Sequence, residues 1–506
     1  MRRWCKKETM GKPSGGGGSD PSDSKHDQKL QAVLLADSFT RTFAPISLDR
    51  STPKCLCPLN NVAFLDYAIE FLAGAGVEEL FVFCVSGADA VESYVRETSW
   101  KGSIEVRCVK DETCTNAGDA LRELDKRGLV RSDPFVLMHG DVVTNCDVKG
   151  ALAAHKARKK KDNAAIMTML FKRVGGWDVD DNDDDEGNGG AAGAATGVRS
   201  SPLRPVQDDL VLGLDPSDAH GTRVLLYDDT PRRPALSLPT SFFAAHGSID
   251  LRTDLLDVGI DICSPDVLAR FSDEFDYRDV RRQFVSNSCA EEEEGLQNRI
   301  YAHVLGEGEY AARVHDFRTY HAVSADLLRR WCYPVVPDNL PSGYEKRARY
   351  ALGRRFVYRE MKRTSRIERS VDLKGPAMVG SHCRIGEGCK IEGTVIGDDC
   401  RIDANCTILH SHLWRNVHVE DGASIDRAIL SDDVVVRRGA TVSRGCVVGR
   451  GCVIGEGVTL PAFARITLCK DDDDDSDGGF GDFDESSSSS SEEEESSSSG
   501  GGSEEE

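Results

Sequence analysis

The chain has 506 residues, of which 39% are hydrophobic and 29% are charged. A chain of this length can bury more than one hydrophobic core, which excludes a small module that depends on disulfides. No run of about 18 apolar residues occurs, and no apolar stretch follows Met1, so neither a membrane-spanning helix nor a secretory signal is expected. These features predict a cytosolic protein that does not bind a membrane.

The cysteines and the charges exclude further kinds of site. The 17 cysteines are scattered and form no CxxC pair, which indicates free thiols rather than disulfides, a metal site or redox chemistry. The net charge of −22 comes from two segments: residues 471–506 hold 16 acidic side chains, residues 178–186 hold seven, and neither segment holds a basic one. The rest of the chain is almost neutral, so direct nucleic-acid binding is not expected. No cofactor is indicated.

Residues 1–28 are rich in Gly, Ser, Lys and Asp and are predicted to form a disordered leader. From residue 29 onward, apolar runs typical of buried strands alternate with segments of helical periodicity. The alternation predicts an α/β domain over residues 29–330, Rossmann-like with a mostly parallel sheet, interrupted at 175–207 by a disordered insert. The predicted strands are Leu30–Ala36, Leu80–Val85, Ile104–Val109, Phe135–Met138, Ala164–Phe171, Leu210–Leu214 and Arg223–Asp228, and the predicted helices span 63–75, 117–127 and 151–160.

Residues 375–470 carry a repeat with a period of about six residues. Aliphatic side chains recur at steps of six or five, and a small or β-branched residue stands two positions before nearly all of them. Such rows are typical of a parallel β-helix, here predicted to be left-handed, because each side of a coil has room for one large and one small inward residue. The small row includes six cysteines, which this architecture explains as small apolar core residues. The aliphatic row is Val379, Ile385, Ile391, Ile396, Ile402, Ile408, Leu413, Val419, Ile425, Leu430, Val436, Val442, Val448, Ile454, Leu460 and Ile466.

Polar segments flank the repeats. Residues 331–374 are predicted to be a basic connector, since 346–369 contain ten Lys or Arg side chains against two acidic ones, Glu360 and Glu368. The connector is interpreted either as a solvated segment or as a docking surface for an acidic partner. Residues 471–506 are predicted to be a disordered, acidic, serine-rich tail.

A sheet domain followed by hexapeptide repeats resembles the sugar nucleotidyltransferases, whose first strand leads into a glycine-rich loop that binds the triphosphate. The matching stretch here is Leu35–Ser47, which keeps the scaffold residues but has Asp37, Ser38 and Thr40 in place of the glycines. Side chains at these positions obstruct close approach of a triphosphate, and the carboxylate of Asp37 repels it. The loop is therefore interpreted as a degenerate remnant of a nucleotide site.

Two further residues match the nucleotidyltransferase pattern. Lys54 stands where the family balances phosphate charge, and Asp141 follows a strand at the position where the family holds magnesium. Each also has a purely structural interpretation, with Lys54 in a packing role and Asp141 capping the turn after the strand. No metal site is predicted.

A closer resemblance rests on five runs of sequence: Ala36–Phe39, Phe64–Tyr67, Gly76–Cys84, Leu255–Pro265 and Arg329–Pro334. These runs resemble the epsilon subunits of eukaryotic translation initiation factor 2B. The resemblance extends from Leu30 to Lys470, and the acidic tail also fits. It implies a nucleotidyltransferase-like domain and a left-handed β-helix that no longer make nucleotide sugars.

The resemblance implies a subunit of the exchange factor that promotes GDP release from initiation factor 2, a GTPase. Its partners would be the sister subunits, especially the gamma subunit, and the GTPase itself. In the family the exchange reaction belongs to a helical repeat domain after the acidic linker, so exchange catalysis is not expected from these residues alone. An Asn-Phe motif linked to exchange corresponds here to Glu274 and Phe275, where a carboxylate replaces the amide. Phe275 could also be an ordinary core aromatic residue.

Two alternative functions remain at this point. The chain could be an active sugar-1-phosphate nucleotidyltransferase similar to GDP-mannose or ADP-glucose pyrophosphorylases, with Lys54 and Asp141 at the phosphates and magnesium. It could also bind nucleotide sugars without turning them over. The missing glycines argue against the first alternative.

Overall fold

The computed structural model describes residues 29–36, 39, 42–49, 51–98, 104–174, 209–218, 222–230, 235–238, 240–291, 298–339 and 349–468. The predicted leader at 1–28, the predicted insert at 175–207 and the predicted tail at 471–506 lie outside the described residues.

The first part of the chain forms a sheet of ten strands. Their order across the sheet is β8-β6-β7-β10-β5-β9-β4-β1-β2-β3. The pairings make β7, β8 and β9 run opposite to the other strands, so most of the sheet points one way, as predicted. The strands are β1 Gln31–Leu35, β2 Glu79–Cys84, β3 Glu105–Lys110, β4 Phe135–His139, β5 Ala165–Arg173, β6 Val211–Asp215, β7 Arg223–Asp228, β8 Asp250–Arg252, β9 Leu255–Cys263 and β10 Arg299–Val304.

Strand β1 shows why the strands of this sheet consist of consecutive apolar residues. Val33 and Leu35 pack into a core on one side of the sheet, whereas Ala32 and Leu34 pack into a second core on the other side. Side chains alternate between the two faces of a strand, and both faces are covered here, so each position favours an apolar residue. The helices are α1 Phe64–Ala75, α2 Ala88–Thr98, α3 Ala117–Lys126, α4 Val148–Lys159, α5 Thr240–Ala245, α6 Asp266–Asp273, α7 Ser286–Glu291 and α8 Phe317–Leu328.

The repeats form a three-sided parallel β-helix, which confirms the predicted architecture. Strands of successive coils pair in register on each side. The first face contains Tyr350–Leu352, Val357–Glu360, Ala377–Val379, Val395–Ile396, His412–Leu413, Ile429–Leu430, Val447–Val448 and Arg465–Ile466. The second contains Arg366–Ile367, Arg384–Ile385, Arg401–Ile402, His418–Val419, Val435–Val436 and Val453–Ile454. The third contains Asp372–Lys374, Lys390–Glu392, Thr407–Leu409, Ser424–Asp426, Thr441–Val442 and Thr459–Leu460.

The β-helix begins inside the segment predicted as a basic connector, 331–374, rather than at residue 375. Arg366–Ile367 pairs with the second face and Asp372–Lys374 with the third. The six-residue period continues back through Ile367 and Leu373, which pack against the core of the β-helix. The charged residues around these two positions hide the period in the sequence, because charges are tolerated wherever a side chain points outward.

The inward rows are buried as predicted, except at the end of the β-helix. The cysteines of the small row, Cys383, Cys389, Cys400, Cys406, Cys446 and Cys452, are all buried. In the last coil, however, Val458 of the small row is 41% exposed, and Leu460 and Ile466 are only half-buried. Within the described residues no further coil stacks on this end, so its side chains lack apolar neighbours on one side.

The two domains pack through the first face of the β-helix. Trp414, Ile429 and Val447 join Tyr320 and other side chains of the α/β domain in one buried cluster. The Trp414 indole Nε1 donates to the Tyr320 hydroxyl over 3.3 Å. The contact therefore fixes the first face of the β-helix against α8.

Candidate functional site

Lys54 and Asp141, predicted separately from the sequence, meet at the carboxyl ends of β1 and β4. Lys54 lies in a 3₁₀ turn, Lys54–Leu56, and its Nζ is 2.9 Å from Asp141 Oδ2. Asp141 follows Gly140, whose amide donates to the Leu35 carbonyl. A Cβ on Gly140 would come within 2.9 Å of that carbonyl oxygen, so a glycine is needed for the close approach that places Asp141.

A second cation, Arg313, completes this buried cluster. Its Nε lies 3.3 Å from Asp141 Oδ1, on the short strand Ala311–Arg313 that pairs with Val142–Thr144. Burial would by itself raise the pKa of Asp141, but Arg313 and Lys54 outweigh burial and hold that pKa well below its usual range. Burial and the charge of Arg313 lower the pKa of neighbouring His139 to about 3, so this imidazole is neutral near pH 7.

An adjoining group of ion pairs was not predicted from the sequence. Arg281, from one turn of π-helix at Val280–Val285, places its Nη1 2.8 Å from Asp261 Oδ2 and its Nη2 3.0 Å from Asp257 Oδ1. Gly259 lies between these two acids, and a Cβ there would come within 2.9 Å of the Arg313 side chain. In the sequence, the only indication of these ion pairs is the presence of two aspartates in an apolar strand. Arg281 comes from a separate element.

The two buried carboxylates that share Arg281 titrate differently. Burial would raise the pKa of Asp257, but Arg281 and its hydrogen bonds hold it below its usual range. Burial and the charge of Asp257 raise the pKa of Asp261 to about 6. The cluster thus balances its charges internally and leaves little positive charge for a phosphate group.

The donor set does not fit magnesium. Mg²⁺ is held by ionised carboxylates with free oxygens together with water and phosphate, whereas both carboxylate oxygens of Asp141 are already paired with cations. In the described part of the chain, no group of three or more His, Cys, Asp or Glu side chains is arranged to hold a metal ion. The predicted obstructing residues Asp37, Ser38 and Thr40 lie outside the described residues, so their role in the loop stays a prediction.

Glu274 and Phe275 lie elsewhere, at the end of α6. Glu274 directly follows the last residue of the helix and caps it. Phe275 is 77% exposed, so its interpretation as a core aromatic residue is wrong. The Arg122 guanidinium carbon is 5.9 Å from the centre of the Phe275 ring, and Arg122 also donates to the Tyr277 carbonyl. Phe275 is thus presented on the surface beside a cation from α3.

Comparison with known proteins bears on both domains. A family profile described as "Nucleotidyl transferase" matches residues 31–175, and one described as "EIF2B subunit epsilon LbH domain" matches residues 354–460. The second profile begins before residue 375, in agreement with the early start of the β-helix. None of the helices in the described residues is long and apolar enough to span a bilayer.

Individual proteins similar to this chain carry two kinds of name. "Translation initiation factor eIF2B subunit epsilon" of Dictyostelium discoideum is 37% identical over 372 residues, which is 73% of this chain and 46% of that protein. The Schizosaccharomyces pombe protein of the same name is 33% identical over 71% of this chain and 48% of its own length. A "Mannose-1-phosphate guanylyltransferase" of Mycobacterium tuberculosis is 22% identical over 75% of this chain and 83% of its own length. The chain spans about half the length of the two epsilon subunits that it matches.

Proposed function

Because the matched part of this chain belongs to the family of eIF2B epsilon subunits, we propose that the chain is a subunit of the exchange factor that promotes GDP release from initiation factor 2. It would assemble the factor and engage the GTPase in the cytosol through its surfaces. The observation that carries this proposal is the match of residues 354–460 to the profile described as "EIF2B subunit epsilon LbH domain".

The buried ion pairs support an assembly role for the nucleotidyltransferase-like domain. Transfer of a nucleotide needs cations that face the triphosphate and carboxylates that hold a metal ion. Lys54 and Arg313 instead face Asp141. A site whose charges already neutralise one another gives a phosphorylated substrate little to bind.

The proposed partners are the sister subunits, especially the gamma subunit, and initiation factor 2. Phe275 supports contact with the GTPase, since an exposed aromatic ring beside an arginine is a combination enriched where proteins bind each other. Glu274 would present a carboxylate next to that ring.

Co-expression with the gamma subunit tests the proposal. We expect the chain to co-elute with the gamma subunit in gel filtration and to retain initiation factor 2 on an affinity resin. Release of a fluorescent GDP analogue from initiation factor 2 should not be accelerated by these 506 residues alone. Recovery of the chain only as an oligomer of itself would contradict the proposal.

The second candidate is a sugar-1-phosphate nucleotidyltransferase, which the match to a guanylyltransferase favours. Pyrophosphate release from GTP and mannose 1-phosphate, lost in Lys54→Ala, would support this activity, and we expect none. Saturable binding of GDP-mannose without turnover would instead support a sensor of nucleotide sugars.

A further inference from the structure

Three arginines form a row along the outside of the β-helix. Arg366, Arg384 and Arg401 occupy the same position in successive strands of the second face, and they pair in register. Neighbouring strands lie about 4.8 Å apart, so the backbone positions of the three arginines are close together. All three are exposed. These residues are called the arginine row.

The arginine row is poorly neutralised by the protein itself. Among the described residues, Arg401 pairs with Asp403 at 2.9 Å, whereas Arg366 and Arg384 have no ion pair. The same coils hold further exposed cations without an ion pair among the described residues. These are Arg354, Arg355, Arg359, Lys362, Arg363 and Arg369.

Like charges directly opposite each other on neighbouring strands destabilise a sheet. The arginine row therefore does not contribute to the stability of the β-helix, and neutralisation from outside would relieve its repulsion. Guanidinium groups bind carboxylates in a bidentate geometry that an ammonium group cannot match. We propose that the arginine row is a docking surface for an acidic segment of a partner protein. The charge and the register of these arginines define the surface independently of the proposed exchange function.

Exposed apolar side chains in the first coil favour a protein over a nucleic acid as the partner. Phe356 is 44% exposed and follows Arg355, and Met361 is 55% exposed and precedes Lys362. Arginine, aromatic residues and methionine are the residue types enriched at the centres of protein interfaces. Both side chains flank Val357–Glu360, the first-face strand of the coil whose second-face strand carries Arg366. An acidic segment with one or two apolar side chains would suit this combination of residue types.

The test uses a fluorescein-labelled glutamate-rich peptide containing one phenylalanine, titrated with the full chain and followed by fluorescence anisotropy. We expect saturable binding that weakens as salt increases, because exposed charges are screened. Arg366→Glu combined with Arg384→Glu should weaken binding about tenfold or more. Arg384→Lys should retain part of the affinity.

The matched control reverses two exposed arginines elsewhere on the β-helix, Arg427→Glu with Arg438→Glu, each of which has an acidic neighbour. This control should bind the peptide nearly as well as the original chain. Arg384→Glu should also raise the melting temperature slightly, since it places an acid between Arg366 and Arg401. Equal loss of binding in the control, no saturable binding, or tighter binding of a single-stranded RNA than of the peptide would each overturn the proposal.

Discussion

The Lys54 ammonium group lies 2.9 Å from the Asp141 carboxylate, and both side chains are more than nine-tenths buried. A buried ion pair contributes little net stability compared with apolar residues, but removal of one partner leaves a charge without compensation. Here Arg313 is paired with the other carboxylate oxygen of Asp141, so the Asp141 charge stays partly compensated when Lys54 is removed. This arrangement makes the Lys54–Asp141 pair a structural feature that can be tested by stability alone.

Lys54→Met should lower the free energy of unfolding by about 2–4 kcal/mol, because Asp141 keeps one cation instead of two. Urea denaturation of the two proteins measures the difference. Lys54→Met combined with Asp141→Asn should lose less than the sum of the single changes, since the two groups interact directly. Strict additivity of the single changes would contradict the pairing.

The histidines at the domain contact predict loss of stability in mild acid. His321 Nδ1 and His412 Nε2 are 3.0 Å apart, and burial lowers the pKa of both rings below the ordinary value of 6.5, that of His412 well below it. Below that value the unfolded chain binds protons that the native state excludes, so the free energy of unfolding falls as pH decreases.

His412→Gln removes one of these titrating groups and keeps a polar side chain beside His321. Between pH 6 and pH 5 we expect the pH dependence of the unfolding free energy to become shallower by up to about 1.4 kcal/mol per pH unit, the value for one proton. Chemical denaturation at a series of pH values measures this slope. An unchanged slope would show that His412 is protonated in the native state as readily as in the unfolded chain.

Trp414 is the largest β-helix side chain in the domain contact, and it is only 3% exposed. Trp414→Ala should lower the free energy of unfolding by about 3–5 kcal/mol, because it leaves a cavity and removes the donor to Tyr320. Trp414→Phe should cost less, since it keeps most of the apolar volume. Limited proteolysis should detect loosening between the domains in Trp414→Ala and little change in Trp414→Phe.

The small inward row limits side-chain size within the β-helix. Cys400 is buried and its thiol is directed at the Trp414 carbonyl of the next coil, 2.9 Å away. Cys400→Leu should lower the free energy of unfolding by about 1–3 kcal/mol through overpacking. Cys400→Ala should be tolerated better because it fits the space, and thermal unfolding compares the two. Greater stability of the leucine variant would mean that the coil has unused room.

Substitution of Phe275 distinguishes a role in binding from a role in stability. Because its ring is 77% exposed, Phe275→Ala should change the unfolding free energy by no more than about 0.5 kcal/mol. If the ring contacts the GTPase as proposed, the same change should weaken binding of initiation factor 2 to the assembled complex about tenfold or more. Phe243→Ala, at another exposed phenylalanine, serves as the control and should bind normally. Equal affinities for all three proteins would remove Phe275 from the proposed contact.

Strand and repeat positions could be predicted because each depends on a short stretch of sequence. The strand predicted at Leu30–Ala36 is observed at Gln31–Leu35, and the helix predicted over 63–75 is observed at Phe64–Ala75. The hexapeptide period likewise depends on a few residues at a time, but it missed the first coil, where charged outward positions concealed Ile367 and Leu373. Lys54 and Asp141 could be selected because each matches a local family pattern.

The sequence by itself thus determined the α/β domain, the β-helix and the resemblance to epsilon subunits, since local periodicity and motif spacing encode all three. Tertiary structure alone decided that Asp141 meets Arg313, 172 residues away, and that Arg281 joins two aspartates of β9. It also decided that Phe275 faces solvent. These outcomes depend on which distant elements pack together, and a pattern within one segment carries no information about the side chains that another segment brings to it.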